Sequence, residues 1–391
     1  MSQWPMVKLG DVCTFSSGGT PNRKKPEFYS GTIPWISSAD INENGDISTR
    51  RYITDEAIQR SSAIVVPPGT LLLVTRTGVG KVSVSQYALS FSQDITAIEI
   101  KNQSIDKDYL VQTIRHFAAP RLLSKARGAT ILGVKRNDVS NLEIPLPPLE
   151  EQRRIAHILE AAQKNISAAK FKSNQINSLR NKISNLYSTD NSARTTTLSS
   201  IAEITSGITK GRKIKDNAPL TDTPYLAVSN VKDGYLDLST VSSIPITAIE
   251  RDRYLLKSGD ILLTEGGDPD KLGRGAIWKE EIAGAIHQNH IFKVRLKKNS
   301  NWNDNALLAV IRSDRSRAHF FRSAKQTTGI ATINKRQLSA TPIPELSTQT
   351  ISLLSSIEEH INHLEKNINK EITLLEELHQ SLATRAFAGQ L

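Results

Sequence analysis

The stretch Pro145-Leu-Pro-Pro-Leu-Glu-Glu-Gln152 introduces the segment around which the rest of the sequence is organised. Prolines just before a first turn, followed by carboxylates, are typical of a helix start, because proline lacks only an N–H group without a partner there and acids complement the helix dipole. The apolar residues that follow recur at coiled-coil spacing. The sequence therefore predicts one long helix over about 147–187. Its main lane is Ile155, Ala162, Ala169, Ile176 and Ile183, and its companion lane is Ile158, Leu179 and Leu186, interrupted at Asn165 and Lys172.

A second copy of this start signal precedes the last segment of the chain. Pro342-Ile-Pro-Glu-Leu-Ser-Thr-Gln349 repeats the Pro-x-Pro-x-Leu-x-x-Gln pattern. The apolar residues after it alternate steps of three and four, broken only at Glu371, for which Ile372 substitutes; they are Leu354, Ile357, Ile361, Leu364, Ile368, Leu375, Leu378 and Leu382. Two long helices with apolar stripes are expected to pack on each other, antiparallel. Two unrelated surface helices are the alternative, which the repeated start signal disfavours.

Length and cysteine usage limit the class of protein. The 391 residues suffice for two to three domains with their own cores. The one cysteine, Cys13, excludes a disulfide framework and a cysteine zinc site, which fits a reducing compartment. The chain opens without a signal peptide, and no apolar run reaches the ~18 residues of a membrane helix. We therefore expect a cytoplasmic protein.

The formal net charge of the chain is +11. Most of the positive excess lies outside the last helical segment. This distribution is expected if the rest of the chain faces phosphates and that helix faces protein. Basic charge alone is weak support, since many basic chains bind no nucleic acid.

The segments before the two helices repeat each other as well. Leu9–Gly18 is echoed by Leu198–Gly207, and the strand pattern ending at Thr75 is echoed by the one ending at Thr264. Both halves then become rich in glycine. A repeat of this length indicates a duplicated domain and not a solenoid. The predicted fold is a duplicated α/β (α+β) arrangement of two globular domains with two long antiparallel coiled-coil helices.

Catalytic sequence patterns are missing. Gly78-Val-Gly-Lys81 resembles a phosphate loop but lacks the first glycine and the final hydroxyl of that motif. Asp268 and Asp270 lack the second carboxylate and following lysine of a nuclease metal site. His287 and His290 have no third ligand, so a polar or DNA-contacting turn is the better interpretation. No methyltransferase motif is found, and we expect neither catalytic residues nor a metal site in this chain.

The assembled motifs resemble those of a known family. Two basic α/β segments, each followed by a Pro-x-Pro-x-Leu-x-x-Gln helix, and the terminus Leu382-Ala-Thr-Arg-Ala-Phe-Ala-Gly-Gln-Leu391 are similar to the specificity subunit of type I restriction-modification systems. The likeness covers the whole chain and is most specific over Ile144–Leu159 and Leu382–Leu391. One departure is that the central helix ends at Asn185–Asp190 without a matching tail, so the two helix ends need not dock identically.

The resemblance implies a non-catalytic subunit that reads double-stranded DNA in a phage-defence system. Residues 1–147 and 191–345 would be target recognition domains for a bipartite site, with residues 148–190 and 346–391 as spacer helices. It also implies two methyltransferase subunits that bind the helices and modify adenine N6 with S-adenosylmethionine. Restriction subunits that translocate DNA would use ATP and Mg²⁺, and this chain itself would bind no cofactor.

Loops rich in glycine, small polar and basic residues are the candidates for DNA contact, because bases are read by donors and acceptors and phosphates by Lys and Arg. In the first half these are Arg23, Lys24, Ser38, Arg76, Lys81, Gln93, Lys135 and Arg136. In the second half they are Lys210, Arg212, Lys213, Asn230, Lys271, Arg274, Gln288, Asn289, Lys335 and Arg336. The predicted helix-seam and partner-binding residues are Ile155, Ile176, Ile183, Leu354, Ile361, Leu364, Ile368, Leu375, Leu382 and Phe387.

Each candidate taken alone is equally consistent with a solvated surface residue. The Lys135-Arg136 and Lys335-Arg336 pairs are the stronger predictions, because both halves have them. Asp268 and Asp270 are consistent with acceptance from cytosine N4 or with capping of a turn, and we favour the turn.

Two other functions fit parts of the sequence. A stand-alone DNA-modifying enzyme is disfavoured by the missing catalytic motifs, and DNA methylation or cleavage by the purified chain would support it. A non-specific DNA-binding dimerisation scaffold would bind random and selected DNA equally well. The recognised base sequence depends on loop geometry that a residue pattern does not fix.

Overall fold

The structure is a computed structural model that describes residues 4–101, 103–128, 132–188, 194–213, 219–267, 272–327 and 330–391. It divides into two compact units. The first is formed by Met1–Ala169 with Glu371–Leu391, and the second by Lys170–Lys370. Each unit contains one half of the sequence repeat together with part of each long helix.

The first half alternates short strands and short helices before the first long helix. Its strands are β1 (Met6–Lys8), β2 (Cys13–Ser17), β3 (Ile33–Ile36), β4 (Arg51–Ile53), β5 (Val65–Val66), β6 (Leu71–Val74), β7 (Val82–Val84), β8 (Leu89–Phe91), β9 (Ile95–Ile100) and β10 (Glu143–Pro145). Its helices are α1 (Leu9–Val12), α2 (Asp55–Gln59), α3 (Lys107–Thr113), α4 (Ala119–Lys125), α5 (Arg136–Ser140) and the long α6 (Leu149–Leu186). Two 3-10 turns (Pro26–Tyr29 and Ser38–Asp40) and a π-helical turn (Ile114–Ala118) complete it.

Two four-stranded sheets form the frame of the first half. One is antiparallel with the order β2-β9-β6-β7, and the other has the order β4-β3-β8-β5 with β3 and β8 parallel. All four residues of β6 are buried. A strand that is covered on both faces reads as a continuous apolar run, which is why Leu71–Val74 does not alternate with polar residues.

The second half has the same kind of elements and ends in the second long helix. Its strands are β11 (Thr195–Thr197), β12 (Ala202–Ser206), β13 (Thr221–Leu226), β14 (Ser242–Ile246), β15 (Ile261–Thr264), β16 (Gly266–Gly267), β17 (Gly275–Ile277), β18 (Ile286–His287), β19 (Ile291–Leu296), β20 (Lys325–Thr327), β21 (Ile330–Thr332) and β22 (Pro342–Pro344). Its helices are α7 (Leu198–Ile201), α8 (Ala248–Tyr254), α9 (Asp304–Ile311), α10 (Asp314–Ser323), α11 (Lys335–Ser339) and the long α12 (Thr348–Ala388), and Val228–Asn230 is a 3-10 turn.

The strand order of the second half repeats that of the first. The order β12-β19-β15-β17 matches β2-β9-β6-β7, and β14-β13-β18 matches β4-β3-β8. The two-stranded sheet β11-β22, whose second strand precedes α12, matches the sheet β1-β10, whose second strand precedes α6. The small sheet β16-β21-β20 of the second half corresponds to the isolated bridges Arg76–Gly133 and Arg127–Gly133 of the first half. The duplicated mixed α/β fold predicted from the sequence is confirmed.

The core of the first unit includes the end of α12 as well as the start of α6. Ile155 and Leu159 of α6 are fully buried in it. Phe387 joins them from α12, with its ring centroid 6.0 Å from Tyr109 and 5.7 Å from Phe117. Full burial of such an aromatic contributes ~1.5–3 kcal/mol. The last residues of the chain therefore help to complete the core of its first half.

The core of the second unit is closed by the other parts of the same two helices. Ile351 and Leu354 from the start of α12 are buried against α9 and the sheet. Ile183 and Tyr187, around the end of α6, pack against the same cluster. In each unit, the beginning of one long helix packs with the end of the other. The predicted antiparallel pairing is confirmed.

The buried stripe of α6 agrees with the main predicted lane but not with its companion. Leu179 and Leu186, which were expected in the seam, are 51% and 71% exposed. The second buried lane lies one residue further along and contains Leu159, Ile166, Ser173, Arg180 and Tyr187. The predicted companion lane was chosen from apolar residues alone. The lane that faces inward contains the polar residues Ser173, which is half-buried, and Arg180, which is buried.

The same displacement occurs in α12. The prediction that Leu364 lies in the helix seam is wrong, because this side chain is 52% exposed, as is that of Leu378. Glu358 and His379 are buried at the corresponding inward positions. The other predicted seam residues are buried or half-buried, and they are Ile155, Ile176, Ile183, Leu354, Ile361, Ile368, Leu375, Leu382 and Phe387. None of the helices within the described residues has the length and apolar character needed to cross a bilayer.

Candidate nucleic-acid interface

Several loops of the first half meet where β6 ends and β9 begins. The N–H of Thr75 donates to the carbonyl of Asp94 at 2.8 Å, and the N–H of Val134 donates to the carbonyl of Thr75 at 2.9 Å. The N–H of Gly19 donates to the end of β8. These contacts bring together the loops that carry the predicted residues Arg23, Lys24, Arg76, Gln93, Lys135 and Arg136.

All six of these side chains are exposed. The guanidinium of Arg136 donates to Ser17 Oγ at 2.8 Å, and Gln93 Oε1 accepts from the hydroxyl of Thr20. Within the part of the chain that the structure describes, the five cations form no ion pair with a carboxylate. Their charge is therefore available to a polyanion.

The glycine-rich turn after β6 holds Arg76 at the surface. Gly78 and Gly80 have φ angles of 105° and 99°, and a Cβ on Gly80 would approach that of Ala119 to 2.6 Å. Lys81, which was predicted to contact DNA, points the other way. Its Nζ donates to the carbonyl of Ile41 at 3.3 Å and pairs with Glu43 at 3.0 Å, with only 21% of the side chain exposed. Lys81 therefore fixes a loop and does not belong to the group of exposed cations at this loop end.

The second half repeats this loop arrangement. The N–H of Glu265 donates to the carbonyl of His290 at 2.9 Å, and that of Ile333 donates to the carbonyl of Glu265 at 2.9 Å. The N–H of Asn289 donates to the carbonyl of Ile208 at 3.1 Å. The loops joined in this way carry the predicted residues Lys210, Lys213, Gln288, Asn289, Lys335 and Arg336.

Most of the predicted residues of the second half that the structure describes are accessible, and the exceptions are Gln288, Arg212 and Asn230. Lys210, Lys213, Lys335 and Arg336 are exposed, and Arg274 and Asn289 are half-buried. Gln288 is partly used by the fold, because its Oε1 accepts from the N–H of Val228 at 3.1 Å. Arg212 donates to both carboxylate oxygens of Glu250, and this hydrogen bonding lowers the pKa of Glu250 to about 2. Lys271, Asp268 and Asp270 lie outside the described residues.

The prediction of a DNA contact is wrong for Asn230. Its side chain is only 3% exposed. Its Oδ1 accepts from the N–H of Ala227 at 2.8 Å, and its Nδ2 donates to the carbonyls of Asp237 and Thr240. The amide therefore caps a 3-10 turn and ties it to the next loop, because these backbone groups would otherwise be buried without partners.

The prediction is also wrong for Ser38. This residue is 5% exposed, inside the equivalent 3-10 turn of the first half. There Asp40 has the capping role, since its Oδ2 accepts from the N–H and hydroxyl of Ser37, each at 2.8 Å. Both halves therefore need a polar residue at this turn for folding, and small polar character misled the prediction.

The two Lys-Arg pairs lie at equivalent places. Lys135 precedes α5 and Arg136 begins it, and Lys335 and Arg336 are the first two residues of α11. Cations are disfavoured at a helix start, because the partial charge of the helix there is positive. Their presence in both halves is therefore not explained by helix stability, and all four are exposed.

One side-chain group at this end was not predicted. His290 Nδ1 lies 2.6 Å from Glu265 Oε2, and Asn289 Nδ2 lies 3.2 Å from His290 Nε2. The sequence indicated His290 only as part of a polar or DNA-contacting turn, and Glu265 was not singled out. The available signal was that Glu265 directly follows the buried strand β15, at the end where the loops meet.

Within the described residues, no group of three or more His, Cys, Asp and Glu side chains could hold a metal ion. The polar side chains of this end are amides, cations and one carboxylate–histidine pair. Such groups can bind phosphates and base edges by hydrogen bonds and charge.

Comparison with known families decides the classification. The sequence matches the family model described as type I restriction modification DNA specificity domain over residues 1–178 and 193–374. The chain belongs to this family. The two matched ranges each contain one set of sheets and the start of its long helix, so one specificity domain corresponds to each half.

Curated relatives of this specificity-domain protein are type I restriction enzyme specificity subunits. It is 30% identical to the MjaIX subunit of Methanocaldococcus jannaschii over 40% of this chain and 37% of that protein. It is 31% identical to the EcoR124I/EcoR124II subunit of Escherichia coli over 39% of each. These two matches span less than half of either relative. The StySPI subunit of Salmonella potsdam is 22% identical over 99% of this chain and 89% of that protein.

Solved structures share the fold over nearly the whole specificity-domain chain. The S subunit of a type I restriction-modification system from M. genitalium has a TM-score of 0.57 and 14% identity, covering 99% of this chain and 96% of that one. A chain solved in a study of complex assembly and conformational transition of the type I R-M system has a TM-score of 0.60 and 17% identity, with 99% and 98% coverage. Both likenesses concern the fold.

Proposed function

We propose that this chain is the non-catalytic, DNA-reading subunit of a type I restriction-modification complex, and that each half reads one part of a bipartite site. The observation that carries the proposal is the repeated loop end. Both halves bring exposed cations and side-chain amides together at the same end of the same sheet. A single non-specific binding patch would not require this arrangement twice.

The cationic side chains and the side-chain amides have different roles in DNA recognition. The exposed Lys and Arg contact phosphates, which gives affinity that falls with salt and fixes the orientation of the domain. The amides of Gln93 and Asn289 offer the donors and acceptors that distinguish base edges. The pairs Lys135-Arg136 and Lys335-Arg336 are the phosphate contacts that we expect to matter most, because they recur in both halves.

The long helices supply the partner surface. Their buried seam leaves large apolar side chains in solvent, as is typical of a surface that another protein covers. On α6 these are Phe171, Leu179 and Leu186, and on α12 they are Leu353, Leu364, Leu374 and Leu378. We propose that two methyltransferase subunits bind here and use S-adenosylmethionine to modify adenine N6. Restriction subunits that use ATP and Mg²⁺ complete the assembly, and this chain binds no cofactor.

The helices also have the dimensions of a spacer. With 38 residues, α6 is ~57 Å long at ~1.5 Å per residue. That length exceeds one ~34 Å turn of DNA. We propose that the helix pair sets the unspecified gap between the two half-sites.

Methylation mapping tests the proposed function. The chain is expressed with its partner subunits in cells without other methyltransferases, and modified adenines are mapped by sequencing. We expect one bipartite motif that disappears when this chain is omitted. A motif that persists without the chain, or methylation by the purified chain alone, would contradict the proposal. Equal binding of selected and random DNA by the complex would instead support a non-specific scaffold.

A domain exchange sharpens this test. Residues 1–143 are replaced by the corresponding segment of a relative with a different motif, while the second half and both long helices are kept. We expect one half-site to change and the other to stay. The reciprocal exchange of the second half is the matched control and has to change the other half-site. Two altered half-sites in either chimera would contradict independent reading.

A further inference from the structure

We propose that each half reads an A·T base pair through one side-chain amide, Gln93 in the first half and Asn289 in the second, and that a neighbouring side chain orients each amide. This inference rests on the proposed function, since it assigns chemistry to the same loop ends. It adds Thr20, His290 and Glu265 as positioning residues.

The two amides, Gln93 and Asn289, occupy equivalent positions in the repeat. Gln93 lies two residues before β9, and Asn289 lies two residues before β19. The carbonyl of the residue that follows each amide accepts a hydrogen bond from the first backbone N–H after β6 or β15. In the first half Asp94 accepts from Thr75, and in the second half His290 accepts from Glu265. The repeat therefore places a carboxamide at the same point of both loop ends, although most neighbouring side chains differ.

The amide of Asn289 is oriented by the side chains of His290 and Glu265. Its Nδ2 donates to His290 Nε2 at 3.2 Å, and His290 Nδ1 lies 2.6 Å from Glu265 Oε2. A carboxylate only accepts, so Nδ1 carries the proton and Nε2 of the neutral ring is an acceptor. The pair Glu265–His290 thereby fixes the direction of the amide. One N–H and the Oδ1 of Asn289 remain available for a ligand, since the described residues offer them no other side-chain partner.

The amide of Gln93 is oriented by the side chain of Thr20. Its Oε1 accepts from the hydroxyl of Thr20. A carbonyl oxygen has two lone pairs, so Oε1 can accept a second hydrogen bond while Nε2 donates. Gln93 is exposed. Both amides thus present one donor and one acceptor side by side after their internal hydrogen bonds are made.

That combination selects adenine. In the major groove, adenine offers the N6 amino group as a donor and N7 as an acceptor, which match the oxygen and nitrogen of a carboxamide. Guanine offers two acceptors there and cytosine one donor. Each matched pair discriminates by about 5- to 150-fold against the wrong base, which corresponds to ~1–3 kcal/mol.

Isosteric substitution provides the test. In Asn289→Asp and Gln93→Glu, the shape is retained but the donor to adenine N7 is lost. The matched controls are Asn301→Asp and Gln103→Glu, which make the same chemical and charge change beyond the opposite ends of β19 and β9. The complete complex is prepared with each variant. Its affinity is measured for the methylated motif and for a panel of DNAs with one base pair changed.

We expect Asn289→Asp to lose discrimination between A·T and C·G at one base pair of the second half-site, to within about twofold of unity, because a carboxylate accepts equally from adenine N6 and cytosine N4. The first half-site then serves as an internal control and keeps its full discrimination. Gln93→Glu gives the reciprocal result, and both control variants resemble the unaltered complex. Unchanged discrimination at every pair, or a uniform loss over the whole half-site, would overturn the inference.

The positioning residues are tested at the same base pair. We expect His290→Ala and Glu265→Ala to weaken discrimination there and to add nothing to Asn289→Asp in double variants. Glu265→Gln retains an oxygen that accepts from His290 Nδ1 and restores discrimination. Losses at other pairs, or additive losses, would assign these residues a merely structural role.

The proposed function can fail separately from this inference. If the unaltered complex does not prefer its methylated motif over shuffled DNA, the proposed function is wrong. If it does prefer the motif and the isosteric variants keep that preference at every base pair, only the assignment of the amides is wrong.

Discussion

The two halves share one frame but attach it differently to the long helices. Gln152 at the start of α6 is fully buried, where it accepts from the N–H of Asp106 at 2.7 Å and donates to the carbonyls of Ser104 and Pro147. Gln349, its counterpart in the repeated motif, is exposed. The same motif therefore ties the helix to the domain in the first half and only marks a helix start in the second.

The helix seams differ in the same way. In the first unit, the end of α12 inserts Phe387 into the core and places His379 against His116, with ring centroids 4.7 Å apart. In the second unit, buried Arg180 of α6 pairs with Glu358 at 3.3 Å and Glu365 at 2.8 Å. Duplication preserved the strand order, whereas the contacts that hold the helices diverged. Each unit should therefore respond to different substitutions.

The largest expected effect is the loss of the buried ion pair in the second unit. Arg180→Leu leaves Glu358 buried without its partner, which costs ~3–5 kcal/mol. Replacing both Arg180 and Glu358 by leucine should recover most of the loss, because the fully buried unpaired carboxylate is then gone and the remaining partner, Glu365, has 22% of its side chain exposed. Urea unfolding monitored by hydrogen exchange of residues 170–370 gives the measurement. The control is Lys182→Leu, at an exposed position of the same helix. Equal losses of stability in Arg180→Leu and Lys182→Leu would refute the explanation by a buried ion pair.

A comparable loss is expected in the first unit when the C-terminal aromatic is removed. Phe387→Ala leaves a cavity beside Tyr109 and Phe117, which costs ~3–5 kcal/mol. Phe171→Ala, at a position that is 63% exposed, should change stability by less than ~0.5 kcal/mol. Hydrogen exchange should show faster opening of residues 4–169 in Phe387→Ala. Unaltered protection there would mean that the end of the chain does not stabilise the first half.

Acidic pH should weaken the second unit through a histidine that the first unit lacks at this place. His287 is fully buried on β18, where β8 has Phe91. Burial, together with Lys293, lowers the pKa of His287 to about 3. The unfolded chain takes up the proton near pH 6.5, so stability falls as pH drops below that value and continues to fall until about pH 3. At pH 5 the expected loss is ~2 kcal/mol relative to pH 7.5.

His287→Phe, which copies the first half, is the matched control for this prediction. Its second unit should lose ~2 kcal/mol less between pH 7.5 and pH 5 in urea unfolding. His116, whose pKa is lowered to about 4 by burial and by His379, still titrates in the first unit. An identical pH dependence of the second unit in both proteins would show that His287 is not responsible.

The smallest effects separate the two motif glutamines. Gln152→Ala leaves buried backbone groups of the preceding loop without partners, which costs ~1–3 kcal/mol. Gln349→Ala removes an exposed side chain and should cost less than ~0.5 kcal/mol. The measurement is the midpoint of thermal unfolding of each variant, compared with that of the unaltered protein. Equal shifts in midpoint would contradict the different roles that the structure gives them.

The candidate surface was predicted only in part from the sequence. Exposed loop cations such as Lys135 and Arg336 were found because loop composition and repetition are local properties. Ser38 and Asn230 were misassigned, since residue type does not reveal whether a polar side chain caps a buried turn or faces solvent. The pair of Glu265 and His290 could not be predicted, because these residues are 25 positions apart and meet only through the sheet.

The duplication, the two long helices and the inward-facing lane through Ile155, Ile176 and Ile183 could all be predicted from the order of residues. Those features depend on local start signals and on periodicity, which are fully present in the order of residues. Contacts between residues far apart in the sequence place Arg180 and Glu358 inside the seam and leave Leu364 outside it. A buried charge is tolerated only where a partner from a distant part of the chain meets it, and no local pattern contains that information.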